Sequence, residues 1–222
     1  MPDISNGQAQ QELKLQRIYR WVVGCIILMY FVGAIFYADP FNFWEHALSE
    51  LGTTKTLLGT QNIPSALIVT TGMFITGRLL LEAARIYWNS EFYSKRYVKS
   101  GLLYCASLGA FIAISPNDLM HTVHTIGSAL LVGGIFLLCM IMGWDSQAYY
   151  GMRIVYLVMA ILSISVLLYA VTYFSGLAIK QATQKICLIS LLLIMFQRSR
   201  IALNKKAIDS QLLLTQGAFN YE

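Results

Sequence analysis

The residues best suited to chemistry are three histidines, His46, His121 and His124, which fall in two short segments with carboxylates close by. Asp118, His121 and His124 repeat every three positions, a spacing that sets them along one helical stripe about 4.5 Å apart in rise. Imidazoles and a carboxylate so arranged permit a site for zinc or another transition metal, with His46 completing the set. In that reading Asp118 orients or deprotonates a metal-bound water, and Ser49 hydrogen-bonds a developing oxyanion. The reaction is then hydrolysis of a lipid amide or ester. A simpler reading competes at each position. Ser115 as cap, Pro116 at the first helical position and Asp118 at the third make a good helix start, the carboxylate favoured by the helix dipole. The histidines serve equally well as interfacial hydrogen-bonding groups, and Ser49 as a helix-surface hydroxyl. Haem is disfavoured, because a transmembrane cytochrome places its axial histidines within facing spans. No glycine-rich phosphate loop or c-type haem attachment sequence occurs.

The first of the two segments runs Phe41-Asn42-Phe43-Trp44-Glu45-His46-Ala47-Leu48-Ser49-Glu50-Leu51-Gly52. It reads as a short interfacial helix near 43–51. Asn42 caps it, Glu45 reaches back, and Gly52 ends it in the left-handed conformation. Phe43, Ala47, Leu48 and Leu51 form its apolar face, and His46, Ser49 and Glu50 share the other.

The elements that position these segments are membrane spans. The chain is 57% apolar and 12% charged, far from the composition of a soluble domain. Uninterrupted apolar runs, rather than period-two alternation, select helices over a barrel. Six stretches approach the ~20 residues needed to cross the hydrocarbon core. They lie near Trp21 to Ala38, Pro64 to Trp88, Lys99 to Ser115, Leu119 to Gly143, Arg153 to Ser175 and Ala178 to Gln197. The expected fold is an all-α, polytopic bundle over 21–200, with cytoplasmic tails at 1–20 and 201–222. In the sixth stretch Lys185 interrupts the run and must snorkel outward or face a polar interior. Arg78 and Glu82 are spaced to pair along the second.

With the amino terminus in the cytoplasm, 13 of the 16 basic residues fall on the cytoplasmic side and only Lys55, Lys180 and Lys185 outside, as the positive-inside rule requires. That topology explains the net charge of +5 without a nucleic-acid partner. All three histidines, together with Asp39, Glu45, Glu50 and Asp118, then face outward, which makes an outer polar site the leading functional expectation. Cys25, Cys105, Cys139 and Cys187 fall within spans as buried thiols, with no disulfide framework. Gly72, Gly77, Ala106, Gly109, Ala129, Gly133 and Gly134 are expected at close helix contacts.

The two polar segments resemble a family of bacterial and archaeal membrane proteins, domain of unknown function 998. The resemblance rests on Leu48-Ser49-Glu50-Leu51-Gly52, Asn62, Gly72, and Pro116-x-Asp118 followed by His124. More distantly the chain resembles the Frag, DRAM and Sfk six-span group, some members of which are linked to lipid remodelling or asymmetry. The resemblance implies an integral, multi-pass protein of the plasma (inner) membrane of a prokaryote. It also implies that Ser49, Asn62, Asp118 and His124 gather at the outer mouth, with membrane lipids as partners and no activity specified. His46 and His121 are outside the family pattern. The hydrolase role set resembles that of the intramembrane ceramidase and adiponectin-receptor group, from which His46 and the His-x-x-His spacing depart. Two functions are therefore carried forward, a non-enzymatic protein that binds or redistributes lipid and a metal-dependent hydrolase.

Overall fold

Each apolar run becomes a helix in the computed structural model, which describes residues 4–145 and 151–197. The helices are α1 (Ile4–Ile35), α2 (Ile63–Asn89), α3 (Arg96–Ile112), α4 (His121–Asp145) and α5 (Met152–Phe174). A sixth, α6, covers 180–197. The only extended pairing among the described residues is an isolated antiparallel bridge, Lys55 to Gln61. Gly59, at φ +86°, makes the turn inside that bridge, a backbone geometry that favours glycine.

Among the described residues, four helices are long and apolar enough to cross a membrane: Gly7–Ile35 within α1, then α2, α4 and α5. The α3 helix has 17 residues, and its rise of about 25 Å falls short of the ~30 Å hydrocarbon core. In α6 the apolar run is broken by Lys185. The helix α1 starts at Ile4 and carries straight through the stretch read as a tail, burying Leu15, Ile18 and Tyr19. The carboxyl-terminal tail, 201–222, lies outside the described residues.

Consecutive helices pack as neighbours, α1 on α2, α2 on α3 and α3 on α4, whereas α5 touches α4 lightly and leaves Leu157, Ile161, Ile164 and Leu168 exposed. In hydrocarbon that surface faces lipid at no cost. Small residues set the closest approaches. A Cβ on Gly109 would stand 2.4 Å from the Leu131 nitrogen, and one on Gly127 2.5 Å from the Ala113 nitrogen, so α3 and α4 meet backbone to backbone. Gly72 and Gly77 admit Met29 and Phe111 in the same way, and Gly134 admits the Leu102 carbonyl. Gly133 meets nothing within 4 Å among the described residues.

Several local expectations need correction. The segment 43–51 is no continuous helix. The Asn42 carbonyl accepts the Glu45 and His46 N–H groups in one isolated turn, and Ala47 is extended. A 3-10 turn then follows at Leu48–Gly52. The helical ladder is broken because α6 takes its partners: Lys185 binds the His46 carbonyl and Gln184 binds the Leu48 N–H. Glu50, not Glu45, supplies the carboxylate that reaches back, to the Ala47 N–H at 3.1 Å. Gly52 is not left-handed; it is small because Val69 lies 3.2 Å from where its Cβ would be. The helix α4 starts at His121, so Asp118 belongs to the preceding turn and shares no helical stripe with the histidines. Glu82 pairs with Lys14 at 2.8 Å rather than with Arg78. All four cysteines are free thiols, but only Cys139 and Cys187 are buried.

Candidate functional site

The polar residues of the first loop are organised by Asn62, the fully buried residue that precedes α2. Its Oδ1 accepts the Ala38 N–H at 3.2 Å, and its Nδ2 donates to the Thr53 carbonyl at 3.0 Å and the Leu51 carbonyl at 3.4 Å. The Ser65 hydroxyl donates to the same Leu51 carbonyl at 2.8 Å. One amide thus joins the end of α1, the 3-10 turn and the start of α2, where water could not satisfy the backbone.

Asp118 fastens this loop to the turn before α4. Its carboxylate accepts the Thr54 hydroxyl at 2.6 Å, the Thr54 N–H at 3.0 Å and the Lys55 N–H at 3.1 Å. Partial burial raises the carboxyl pKa, but these donors outweigh it and hold the group below its ordinary range. Asp118 is an anchor rather than a capping residue.

The histidines are each engaged separately. His46 Nδ1 accepts the Asn42 N–H at 3.3 Å, and its ring packs edge-on to Phe41 and near Tyr37. His121 Nδ1 meets Asn117 Oδ1 at 2.7 Å on the exposed surface. His124, 9% exposed, bonds the Ser115 carbonyl at 2.9 Å. Among the described residues no three of His, Cys, Asp and Glu come together as a metal-binding group. His46, His121, His124 and Asp118 are therefore not assembled around a common point. Ser49 is half-buried on the 3-10 turn, between Leu48 and Glu50, which carry that turn's contacts to α6 and to Ala47.

The cluster that the fold does assemble centres on Lys185. This side chain is 1% exposed, and its ammonium donates to the His46 carbonyl at 2.7 Å and the Gln181 carbonyl at 3.0 Å. It lies 5.2 Å from the centre of the Phe43 ring, a cation–π distance. Gln184 Oε1 accepts the Leu48 N–H at 2.9 Å, and its amide nitrogen reaches the Tyr169 hydroxyl of α5 at 3.4 Å. Glu50 acts electrostatically on Lys185 and, with Asp39, on the buried Tyr37. The signal that could have found this cluster was the lysine interrupting an apolar run. Its partners, 139 positions away in sequence, gave none.

A second polar cluster closes the opposite end of the bundle. Lys99, 4% exposed, pairs with Asp145 at 2.6 Å and faces the rings of Tyr87 and Tyr93. Glu12 accepts the Tyr93 hydroxyl at 3.0 Å, and Tyr19 meets Tyr87 at 3.3 Å. Glu12, Gln16, Tyr19, Tyr93 and Lys99 line a cavity of about 20 Å³ there. Between the two ends lie Val22, Ile26, Leu80, Leu103 and Leu138, all buried and apolar.

Comparison with known proteins places these features in a family. No curated protein and no solved structure matches the chain. The family described as protein of unknown function (DUF998) matches residues 22–198, a region that holds Asn62, Glu50, Asp118 and Lys185. An all-helical, membrane-type chain matched over most of its length in this way belongs to the DUF998 family.

Proposed function

We propose that this protein is a six-span membrane protein with both termini in the cytoplasm, and that it binds the polar headgroup of a membrane lipid at its outer mouth without transforming it. The observation that carries the reading is Lys185. An ammonium taken out of water costs several kcal/mol unless its environment is built for it. Here a lysine 1% exposed sits where α6 meets the first loop, in the field of Glu50 and 5.2 Å from the centre of the Phe43 ring. Ionisable groups kept at such a place in a bundle mark ligand sites. Six spans support this placement. With α3 and α6 crossing beside the four longer helices, 13 of 16 basic residues share the side opposite the Lys185 cluster.

The hydrolase alternative needs His46, His121, His124 and Asp118 on one metal ion. Each of the four instead has its own protein partner, and the geometry lends that reading no support.

The test is lipid retention. The purified protein in mild detergent, offered a mixture of native lipids, should keep stoichiometric lipid in native mass spectrometry. Lys185→Met should lose it while the Asp118→Asn control does not. Equal retention by folded Lys185→Met sinks the reading.

A further inference from the structure

The cluster at the end opposite the first loop contains a second site, independent of the lipid reading. Gln16 of α1 is 3% exposed, yet its amide Oε1 and Nε2 are both shielded from solvent and neither makes a hydrogen bond to the described residues. Folded proteins seldom leave such groups unsatisfied, because the cost of taking each out of water is then not returned. Turning the amide over changes nothing, since one donor and one acceptor remain open either way.

Gln16 lines the cavity of about 20 Å³. Four helices wall it, with Gln16 and Tyr19 from α1, Tyr87 from α2, Lys99 from α3 and Met142 from α4. The other polar groups of the wall hold one another in place. Lys99 pairs with Asp145 at 2.6 Å, Tyr19 meets Tyr87 at 3.3 Å, and the Tyr93 hydroxyl donates to Glu12 at 3.0 Å. Gln16 is the lining side chain whose donor and acceptor the described residues both leave unused.

Size and chemistry together name the occupant. About 10–15 Å³ of room for its centre suffices for one water molecule, so this cavity takes one and excludes a headgroup or an organic metabolite. The occupant has to accept from Nε2 and donate to Oε1. A sodium or potassium ion donates no hydrogen bond and accepts none, an ammonium only donates, and a chloride only accepts. Lys99 also opposes a cation, and Glu12 an anion. Water alone of these does both and carries no charge.

We propose that this cavity is a binding site for a single water molecule, anchored by the Gln16 amide, which joins α1 to the wall formed by α2, α3 and α4. Buried waters make about three hydrogen bonds. The lone pairs of the Tyr19 hydroxyl and of the Glu12 carboxylate have capacity for the third.

The experiment is nuclear magnetic resonance on the full chain, 15N-labelled at glutamine, in detergent micelles. The Gln16 side-chain signals are identified by their loss in Gln16→Met. In the wild type they should show cross-peaks to water, and in the rotating frame these should carry the sign of dipolar contact, opposite to that of proton exchange. Absence of such cross-peaks overturns the proposal. Melting curves give an independent sign. Gln16→Met keeps the volume but removes the anchor, and should lower the melting temperature by about 2–4 °C. A rise would overturn the proposal, because it is what relief of two unpaired groups in a dry cavity produces. If Gln16→Met does not fold, Gln16→Leu serves both purposes. At one ionic strength, sodium, potassium and ammonium chlorides and sodium gluconate should give the wild type the same melting temperature. A shift with one ion that disappears in the Gln16 variant would overturn the assignment to water in favour of that ion.

Discussion

The Lys185 ammonium of α6 and the His46 carbonyl of the first loop stand 2.7 Å apart across 139 positions of sequence. Gln184 adds a second bond, to the Leu48 N–H, one residue along from Lys185. The loop after α1 therefore reaches its final form only when α6 is in place, and the isolated turn, extended Ala47 and 3-10 turn all reflect groups surrendered to that helix.

Replacing Lys185 with methionine keeps the volume but takes the ammonium partner from the His46 carbonyl and leaves Glu50 without that cation. The expected loss is about 2–4 kcal/mol. Adding Glu50→Gln should recover part of it, since the uncompensated charge is then gone. Thermal unfolding of the single and double variants in one detergent measures the coupling; strictly additive losses would separate the two residues energetically.

Asn62 is bound as both acceptor and donor, so its variants should rank by what they leave behind. Asn62→Ala deletes three bonds and should cost about 2–3 kcal/mol. Asn62→Asp keeps the acceptor for Ala38 but points an oxygen at the Thr53 and Leu51 carbonyls, and should be worse despite being closer in shape. Melting temperatures in the opposite order would mean that the amide nitrogen is not the group that matters.

Asp118 provides a pH dependence of known sign. Its folded-state pKa is depressed, so its stabilisation is fully present above the unfolded carboxylate pKa of about 3.9. It is lost as pH falls through the lower folded value. Because the group is exposed, the effect at neutral pH is discounted to about 1 kcal/mol. Asp118→Asn should lower the melting temperature at pH 7, and by progressively less at acidic pH as the carboxylate is protonated through its depressed folded pKa. A loss of equal size at neutral and acidic pH would show that the charge is irrelevant.

What could be read from the sequence, and what could not, follows from the range of each interaction. Hydrophobic runs are local, so the helices were visible in stretches such as Trp21 to Ala38 or Arg153 to Ser175 alone. Asn62, Glu50 and Asp118 were singled out through the family resemblance. Their roles were not. Asp118 finds its donors 64 residues back at Thr54, and Lys185 finds its acceptor 139 back at His46. The periodicity of Asp118, His121 and His124 misled because spacing acts only inside a helix, and α4 begins at His121. Among the glycines, composition marked Gly133 and Gly109 alike. Only the facing backbone separates them.

That separation can be measured. Gly109→Ala and Gly127→Ala would each drive a methyl into backbone atoms of the facing helix, which cannot move as a side-chain tip could. Both should cost several kcal/mol or abolish folding. Gly133→Ala meets nothing within 4 Å, and should be neutral or stabilising by about 0.5–1 kcal/mol through helix propensity. Comparable losses at all three positions would contradict the backbone contact between α3 and α4.

The two ion pairs at the end opposite the first loop differ in burial, and burial decides their worth. Lys14 and Glu82 keep 58% and 47% of their side chains exposed, whereas Lys99 and Asp145 keep 5% and 18%. Water screens the first pair, so Lys14→Ala should cost no more than about 0.5 kcal/mol and less in high salt. In the second, Lys99→Met or Asp145→Asn leaves one partner uncompensated in a low-dielectric interior, for about 3 kcal/mol that added salt does not remove. The rings of Tyr87 and Tyr93 continue to face an unpaired Lys99, so Asp145→Asn should be the milder of the two. The double variant Lys99→Met with Asp145→Leu should regain most of the loss, since neither charge then needs a partner. Melting curves at low and high ionic strength test all of this together, and a Lys99 variant as harmless as the Lys14 one would mean that the pair is hydrated and its burial immaterial.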